Sequence, residues 1–229
     1  LRALDSTQLD ALGSDQVQAL TTAQVAALTT GQVSTLSSDD LNALTSAQIK
    51  ALSTAQVAAL TTGQVSTMTS DDVAALTTNQ VAALSSSQVG ALTTDAVEAL
   101  TSGQVAAMTS KQVAGLTTDQ IASLETADLV AIGSNGTRAL TTAQFAALST
   151  DSIVALTTAQ AAQITSAQAA ALSTDQVGAL ATDDFRALST AALSGFSSRN
   201  IGALSTDNIV ALTTLQASTL TTAQVKGLS

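Results

Sequence analysis

Apolar and polar residues follow a strict eight-residue pattern along the whole chain. Counted from Ala3, twenty-eight octads fill residues 3–226 without insertion or deletion. The second column of the octad is Leu, Met, Ile or Phe in all 28, and the seventh is apolar everywhere except at Thr137. The fourth column is always Ser or Thr, the third is Ser or Thr in 23 octads, and the sixth is Gln in 18. So regular a period predicts an array of similar units that stack on one another.

One short α-helix per octad is the local structure that this pattern favours. A hydroxyl in column three, followed three residues later by Gln, is the signature of a capping box at a helix N-terminus. Columns two and seven then place apolar residues just before the cap and at the fourth helical position, as a hydrophobic staple requires. A continuous helix is a poor fit because each octad would rotate its apolar residues away from any common stripe. In a flat strand, columns two and seven would face opposite sides.

Helices of this length do not persist alone in water, so each must pack against neighbouring turns. We therefore predict an all-α solenoid of very short capped helices, with a β-solenoid and a disordered chain as the alternatives. The predominance of Ala in column one indicates a close approach of backbones, and the restriction of column four to Ser or Thr indicates a half-buried position. The number of octads in each turn of the solenoid stays open.

Nothing in the composition divides the chain, so residues 1–229 are predicted to form a single domain. Neither end resembles a polar capping repeat, because the chain starts at Leu1 and stops at Ser229, part-way into another octad. We expect the array to continue in a longer parent chain or to stack end to end with another copy.

The composition removes most catalytic chemistry. The chain contains no His, Cys, Trp, Tyr or Pro, so it has no Ser-His-Asp or Cys-His relay and no thiolate or imidazole metal site. We predict that it is not an enzyme, and we name no catalytic, cofactor-binding or metal-binding residue. Seven Lys and Arg against 17 Asp and Glu give a net charge of −10, which argues against nucleic acid as a partner. No apolar stretch is long enough to span a membrane.

Two groups of side chains nevertheless carry candidate chemistry. The acidic pairs Asp39–Asp40, Asp71–Asp72 and Asp183–Asp184 offer the carboxylate oxygens that Ca²⁺ prefers. Helix capping is the favoured interpretation, in which the second Asp replaces the Gln of the capping box. The rows of Ser and Thr are candidates for O-linked sugars or for an ice-binding face, although capping and packing are again the favoured roles.

The octad at 131–138, AIGSNGTR, breaks several columns at once. Gly133 replaces the capping hydroxyl, Gly136 replaces the Gln, and Thr137 replaces the apolar residue of column seven. We expect a local kink, a bulge or raised mobility here. We also expect the double substitution Gly136→Gln with Thr137→Val to stabilise the protein by roughly 1–3 kcal/mol, through the regained cap and the buried side chain. Asn135 begins a glycosylation sequon, which we interpret as a coincidence.

Octads such as ALTTAQVA at 19–26 and ALSTAQVA at 51–58 resemble the LTTAQVAAL-type arrays of very large secreted proteins and surface appendages of Gram-negative bacteria, including adhesin-like chains. The resemblance covers the whole chain and rests on the repeat alone, so it carries over no functional residue. It implies an extracellular or cell-surface location and a role as a structural spacer or filament segment.

The expected partners are neighbouring repeats or other copies of the chain, and then a surface protein or glycan. The alternative function is a surface binding module, either an adhesin or an ice-binding face built on the Ser and Thr rows. Columns five and eight, which such a module would use, vary widely from octad to octad.

Overall fold

The computed structural model describes residues 3–228, and of Ser6 and Asp10 it describes no side chain. Leu1 and Ser229, at the two ends of the predicted array, lie outside the described residues. The described residues form 28 helices of four to seven residues and no strand. The prediction of an all-α solenoid with one short helix per octad is therefore confirmed, and the β-solenoid alternative is wrong.

The chain divides into two compact units, Leu1–Leu116 and Thr117–Ser229, and the single domain over 1–229 stays a prediction. The first unit holds α1 Ser6–Asp10, α2 Ser14–Gln18, α3 Thr22–Ala26, α4 Thr30–Thr35, α5 Ser38–Asn42, α6 Ser46–Ala51, α7 Thr54–Ala58, α8 Thr62–Thr67, α9 Ser70–Ala75, α10 Thr78–Ala83, α11 Ser86–Ala91, α12 Thr94–Glu98, α13 Ser102–Ala106 and α14 Ser110–Gly115. The second unit holds α15 Thr118–Ser123, α16 Thr126–Ala131, α17 Gly133–Ala139, α18 Thr142–Ala146, α19 Thr150–Val154, α20 Thr158–Ala161, α21 Ser166–Ala171, α22 Thr174–Gly178, α23 Thr182–Ala187, α24 Thr190–Gly195, α25 Ser198–Gly202, α26 Thr206–Val210, α27 Thr214–Thr219 and α28 Thr222–Lys226.

The predicted capping boxes set where the helices begin. At the start of α10, Thr77 is extended (φ −75°, ψ 159°), its hydroxyl accepts from the backbone N–H of Gln80 at 3.3 Å, and its own N–H donates to Oε1 of Gln80 at 2.7 Å. This exchange satisfies two of the backbone donors that a helix N-terminus leaves unpaired. An N-cap side chain makes this bond in all described helices except α2, α16, α17 and α23, whose caps are Gly13, Glu125, Ile132 and Ala181.

Columns two and seven form the core, as the staple predicts. In the middle of the first unit Val81 and Leu84 are both buried, and the N–H of Leu84 donates to the carbonyl of Val81 at 3.1 Å to close the helix. The chain then extends at Leu84 and enters the next N-cap. Most octads thus contribute two buried apolar side chains, which a five- or six-residue helix needs because it is unstable by itself.

Three octads make one turn of the solenoid, which we call a coil. In each unit every helix packs against the helix three places further along the chain, from α1 on α4 to α11 on α14 in the first unit and from α15 on α18 to α25 on α28 in the second. Three parallel stacks of helices result in each unit. The sequence left the number of octads per turn open, and this pairing supplies it.

Column one is small because backbones approach closely between stacked helices, as predicted. A Cβ atom added at Gly195 would lie 2.1 Å from the carbonyl oxygen of Ser166, and one added at Gly115 would lie 2.7 Å from that of Ser86. These contacts join α24 to α21 and α14 to α11. No larger side chain fits these two places unless the helices move apart.

The predicted half-burial of column four is wrong for most octads. Thr54 and Thr78 are exposed, as are the majority of the Ser and Thr residues in this column. They occupy the first helical position, from which the side chain points outwards beside the cap. The restriction to Ser or Thr is therefore not explained by crowding in the folded chain.

Octad 131–138 departs from the repeated geometry, as expected. Ile132 is helical rather than extended (φ −61°, ψ −19°), and Gly133 has a φ of 64°, the left-handed conformation that favours glycine. Only Ile132 separates α16 from α17. Thr137 is fully buried, and its hydroxyl donates to the carbonyl of Gly133 at 3.0 Å and accepts from Nε2 of Gln160 at 3.0 Å.

The geometry of this octad opposes the expected stabilisation by the consensus residues. A Cβ atom at Gly136 would lie 2.7 Å from Cβ of Ile132, so the Gln of the consensus does not fit. Valine at Thr137 would also remove the hydroxyl that pairs with Gln160. Gly133, Gly136 and Thr137 together give this octad a different local structure. In it, a left-handed turn replaces the extended N-cap of the other octads.

We therefore expect Gly136→Ala to destabilise the protein by about 1–3 kcal/mol, the usual cost of overpacking a buried site. The control is Gly103→Ala, where the nearest atom to the new Cβ is Oγ1 of Thr101 at 3.9 Å. That change should stabilise by about 0.4–1 kcal/mol, because alanine restricts the unfolded chain. Urea unfolding followed by circular dichroism measures both variants. Equal midpoints for the two variants would show that α17 has room for a side chain.

Candidate functional site: a glutamine ladder between coils

The buried side chain of Gln80 holds two coils together. Its Oε1 accepts from Thr77 in its own capping box, and its Nε2 donates to the carbonyls of Ile49 at 2.8 Å and Leu52 at 2.7 Å. Those carbonyls lie at the C-terminal end of α6, one coil earlier, where a helix leaves C=O groups without an internal partner. One amide therefore caps the start of its own helix and the end of an earlier one.

The same bond recurs through both units, and we call the set the glutamine ladder. Each member sends Nε2 to the carbonyl 28 residues earlier at 2.6–2.9 Å, and many also reach the one 31 residues earlier. The shorter amides of Asn200 and Asn208 reach the equivalent carbonyls at 3.0 and 3.2 Å. The glutamines are Gln32, Gln48, Gln56, Gln64, Gln80, Gln88, Gln104 and Gln112 in the first unit and Gln168, Gln176, Gln216 and Gln224 in the second.

Sequence reasoning assigned column six to capping alone and missed this second role. A signal was present, because a capping box accepts Glu as readily as Gln, yet none of the 28 octads has Glu in column six. Glu would cap its own helix but has no N–H to donate. The absence of Glu fits a preference for a donor, and the column departs from that preference where Asp fills it in four octads.

The acidic pairs separate in the fold. Asp39, Asp71 and Asp183 are exposed, whereas Asp40, Asp72 and Asp184 are buried in column six. Asp72 forms the capping box of α9 with Thr69, which confirms the capping interpretation there. The carboxylate of Asp40 accepts from Ser37 at 2.7 Å and from Ser14, 26 residues earlier, at 3.2 Å. Residues 3–228 contain no group of three or more acidic side chains that could hold a metal ion.

Asp72 and Asp184 place a carboxyl group where the other octads have an amide donor. Burial raises the pKa of Asp72, hydrogen bonds from the Thr69 hydroxyl and backbone N–H partly offset the rise, and the Asp71 charge adds to it. The pKa of Asp184 is raised in the same way by burial and by Asp183, against a hydrogen bond from Thr158. A protonated Asp has an O–H that can donate, much as the Asn200 amide does.

The outer surface combines a repeated chemistry with a variable one. Column five is exposed in every described octad, and it carries Ala, Asp, Gly, Lys, Arg, Asn and Leu among other residues. The Ser and Thr residues of columns three and four are nearly uniform and mostly exposed, and those of column three cap the helices. The uniform columns that are buried, two, six and seven, serve the contact between coils.

Short capped helices, three to a coil and joined by amide ladders, define an α-solenoid of octapeptide repeats. The chain belongs to the ALTTAQ repeat family, whose sequence model matches residues 1–30, 33–70, 67–102, 97–126, 121–158 and 177–214. No curated protein matches the chain. Among the described residues no helix is both long and apolar enough to cross a membrane.

We expect Asp72→Asn to stabilise the protein at neutral pH by roughly 1 kcal/mol, because the amide regains a donor to the preceding coil. The folded pKa of Asp72 lies above its ordinary value of 3.8. The contribution of the aspartate to stability is therefore complete below the unfolded pKa and is lost as the pH rises through the folded pKa. The advantage of the asparagine should grow over that pH window.

The matched control is Asp71→Asn, which removes the same charge from the exposed neighbour. Urea unfolding of both variants and the parent chain at acidic and neutral pH measures the difference. An Asp72→Asn advantage that is absent, or that is as large in acid as at neutral pH, would contradict the proposed role of the buried carboxylate.

Proposed function

We propose that this chain is a structural spacer or filament segment of an extracellular bacterial surface protein or appendage. The observation that carries the proposal is that the constant buried columns of the octad all make contacts within and between coils. Columns two and seven fill the core, and column six joins coil to coil through amides such as Gln80 and Gln112. A chain whose buried uniform side chains all serve stacking is suited to setting a distance.

Composition and surface support the same role. With 17 acidic and 7 basic residues, the net charge of −10 favours solubility outside the cell and disfavours polyanionic partners. The absence of Cys makes the fold independent of the redox state of its compartment. No catalytic function is proposed, because the chain has no His or Cys relay and its paired carboxylates point to different environments.

A surface binding module is the second candidate, and one local feature favours it. A hollow of about 410 Å³ in the second unit is lined by Arg138, Gln163, Thr165 and Ser189, together with Ile164 and small residues. Arginine, amide and hydroxyl groups are the usual donors to a sugar or a carboxylate. Its lining is not repeated in other octads, since column one holds Gln only at Gln163.

Cysteine labelling on intact cells tests the proposed location, because the chain has no cysteine of its own. Ala55→Cys places a thiol on the exposed column five of α7, and Val57→Cys places one in the buried column seven of the same helix. We expect a membrane-impermeant maleimide to label Ala55→Cys on intact producing cells and to label Val57→Cys only after denaturation.

Labelling of Ala55→Cys only after cell lysis would contradict the surface location. Two assays on the purified chain distinguish a binding module from a spacer. They measure retention on immobilised glycans and arrest of ice growth. Either activity, lost on Arg138→Ala or on charge substitution of the hydroxyl rows, would favour a binding module over a spacer.

A further inference from the structure

Several departures from the octad consensus meet at the hollow in the middle of the second unit. Its lining includes Arg138, Gln163 and Ser189. Gln163 stands in column one, which holds Ala, Gly, Ser or Thr in every other octad because backbones approach closely there. Just before and after it in the chain, Ala161 and Ala169 replace the larger apolar residue that most octads carry in column seven. The consensus is therefore broken in neighbouring octads around one surface hollow.

Gln163 follows the shortest of the described helices. α20 has four residues, and the chain turns at 162–163 directly after it. The backbone N–H of Gln163 donates to the carbonyl of Gln160 at 2.9 Å and closes this turn. The side chain of Gln163 is half-buried and makes no hydrogen bond with any residue of 3–228. A column that elsewhere only packs thus offers an unused amide here.

The irregular octad 131–138 fixes the backbone next to Arg138. The hydroxyl of Thr137 accepts from Nε2 of Gln160 at 3.0 Å, and the carbonyl of Thr137 accepts from Nε2 of Gln168 at 2.9 Å. These two amides belong to α20 and α21, the helices before and after the turn that lines the hollow. The hydrogen bonds of Thr137 therefore hold the base of the Arg138 side chain against that turn.

The polar groups of the hollow have hydrogen-bonding capacity to spare. The guanidinium of Arg138 is exposed and forms no ion pair with a described residue, although the chain has 17 acidic side chains. None of the residues that line the hollow is acidic. The hydroxyl of Ser189 accepts from the N–H of Ala192 at 3.0 Å as the N-cap of α24, which leaves its O–H to donate. A cation without a counter-charge thus faces the same hollow as a free amide and a free hydroxyl donor.

We infer that this hollow binds a sugar that carries a carboxylate. A guanidinium pairs with a carboxylate through two parallel hydrogen bonds, which makes Arg138 the anchor. The Gln163 amide and the Ser189 hydroxyl both donate and accept, as recognition of sugar hydroxyls requires. Ala162 and Ala191 add small apolar surface for the C–H face of a ring. The volume of about 410 Å³ lies within the range of small-molecule sites.

The charge of the hollow favours a carboxylate over a phosphate. A phosphate monoester carries about two negative charges at neutral pH, whereas a carboxylate carries one. Arg138 is the single basic residue of the lining, so it matches one negative charge. The inference rests on the second candidate function, a surface binding module. It is compatible with a spacer, because the stacking columns of the other octads take no part in the hollow.

Titration of the ¹⁵N-labelled 229-residue chain, followed by nuclear magnetic resonance, tests the site with three probes. They are a disaccharide of galacturonic acid, a neutral disaccharide of galactose, and acetate. We expect the acidic disaccharide to shift the amide signals of Gln163 and Ser189, and to bind about tenfold more tightly than either other probe. Added salt should weaken this binding, because Arg138 is exposed and its ion pair is screened.

Two variants and a control separate the roles of the side chains. Arg138→Ala should weaken binding of the acidic disaccharide by about tenfold or more, because it removes the charged donor. Gln163→Ala restores the consensus residue of column one, so it should keep the fold and weaken binding by roughly threefold to tenfold. The matched control Arg199→Ala removes an exposed arginine outside the hollow and should bind as the parent chain does.

Equal affinity for the acidic and the neutral disaccharide, or unchanged binding by Arg138→Ala, would overturn recognition of the carboxylate. Acetate that binds as tightly as the acidic disaccharide would overturn recognition of the sugar. No shift with any probe at millimolar concentration would overturn the site itself. Surface labelling of Ala55→Cys on intact cells is independent of these results, so failure of the site is distinguishable from failure of the proposed function.

Discussion

A helix of five or six residues cannot satisfy its own backbone, because any α-helix leaves its first four N–H and last four C=O groups without an internal partner. In this protein nearly every backbone polar group of a helix is such an end group. The column-six amide resolves this on both sides, since Oε1 of Gln80 serves the N-terminus of its own helix and Nε2 serves the end of a helix one coil earlier. Secondary and tertiary structure are therefore stabilised by the same side chain.

This constraint explains which substitutions column six accepts. Asn200 keeps both an acceptor and a donor, and it makes both bonds with slightly longer reach. Asp40 and Asp72 keep the acceptor and lose the amide donor, and Asp40 also accepts a hydrogen bond from the hydroxyl of Ser14 in an earlier helix. Glu is absent from the column. A coil contains three octads, so the loss of one column-six hydrogen bond leaves those of the other two octads in place. A solenoid tolerates such a local loss because its stability is approximately a sum over contacts between neighbouring repeats.

Local structure was predictable because its determinants lie within one octad. The hydroxyl and Gln three residues apart, as in Thr77 and Gln80, specify both the cap and the register of the helix, and the apolar columns specify the core. The number of octads per coil was not predictable. The donor and acceptor of each ladder bond are 28 residues apart, but every octad has the same consensus, so no residue in the sequence marks which octads pair. Column four misled because Ser and Thr are equally compatible with a packed and an exposed first helical position.

Octad 131–138 shows a different limit. Its irregular columns correctly indicated a departure from the repeat, but they were interpreted as lost interactions rather than as an alternative set. Gly133 permits a left-handed turn, Gly136 leaves space for Ile132, and Thr137 replaces an apolar contact by two hydrogen bonds. Such compensation depends on which atoms are in contact in the folded chain, and the repeat consensus alone does not predict those contacts.

The central claim is that column-six amides join each coil to the one before it, and hydrogen exchange of the glutamine side-chain NH₂ groups tests it most directly. Nuclear magnetic resonance of the ¹⁵N-labelled chain at low concentration should show slow exchange for buried amides such as Gln80 and Gln112, which donate to carbonyls of the preceding coil. Gln16 and Gln24, which are exposed, should exchange at the rate of free amides. Uniformly fast exchange at Gln80 and Gln112 in the folded chain would contradict the ladder.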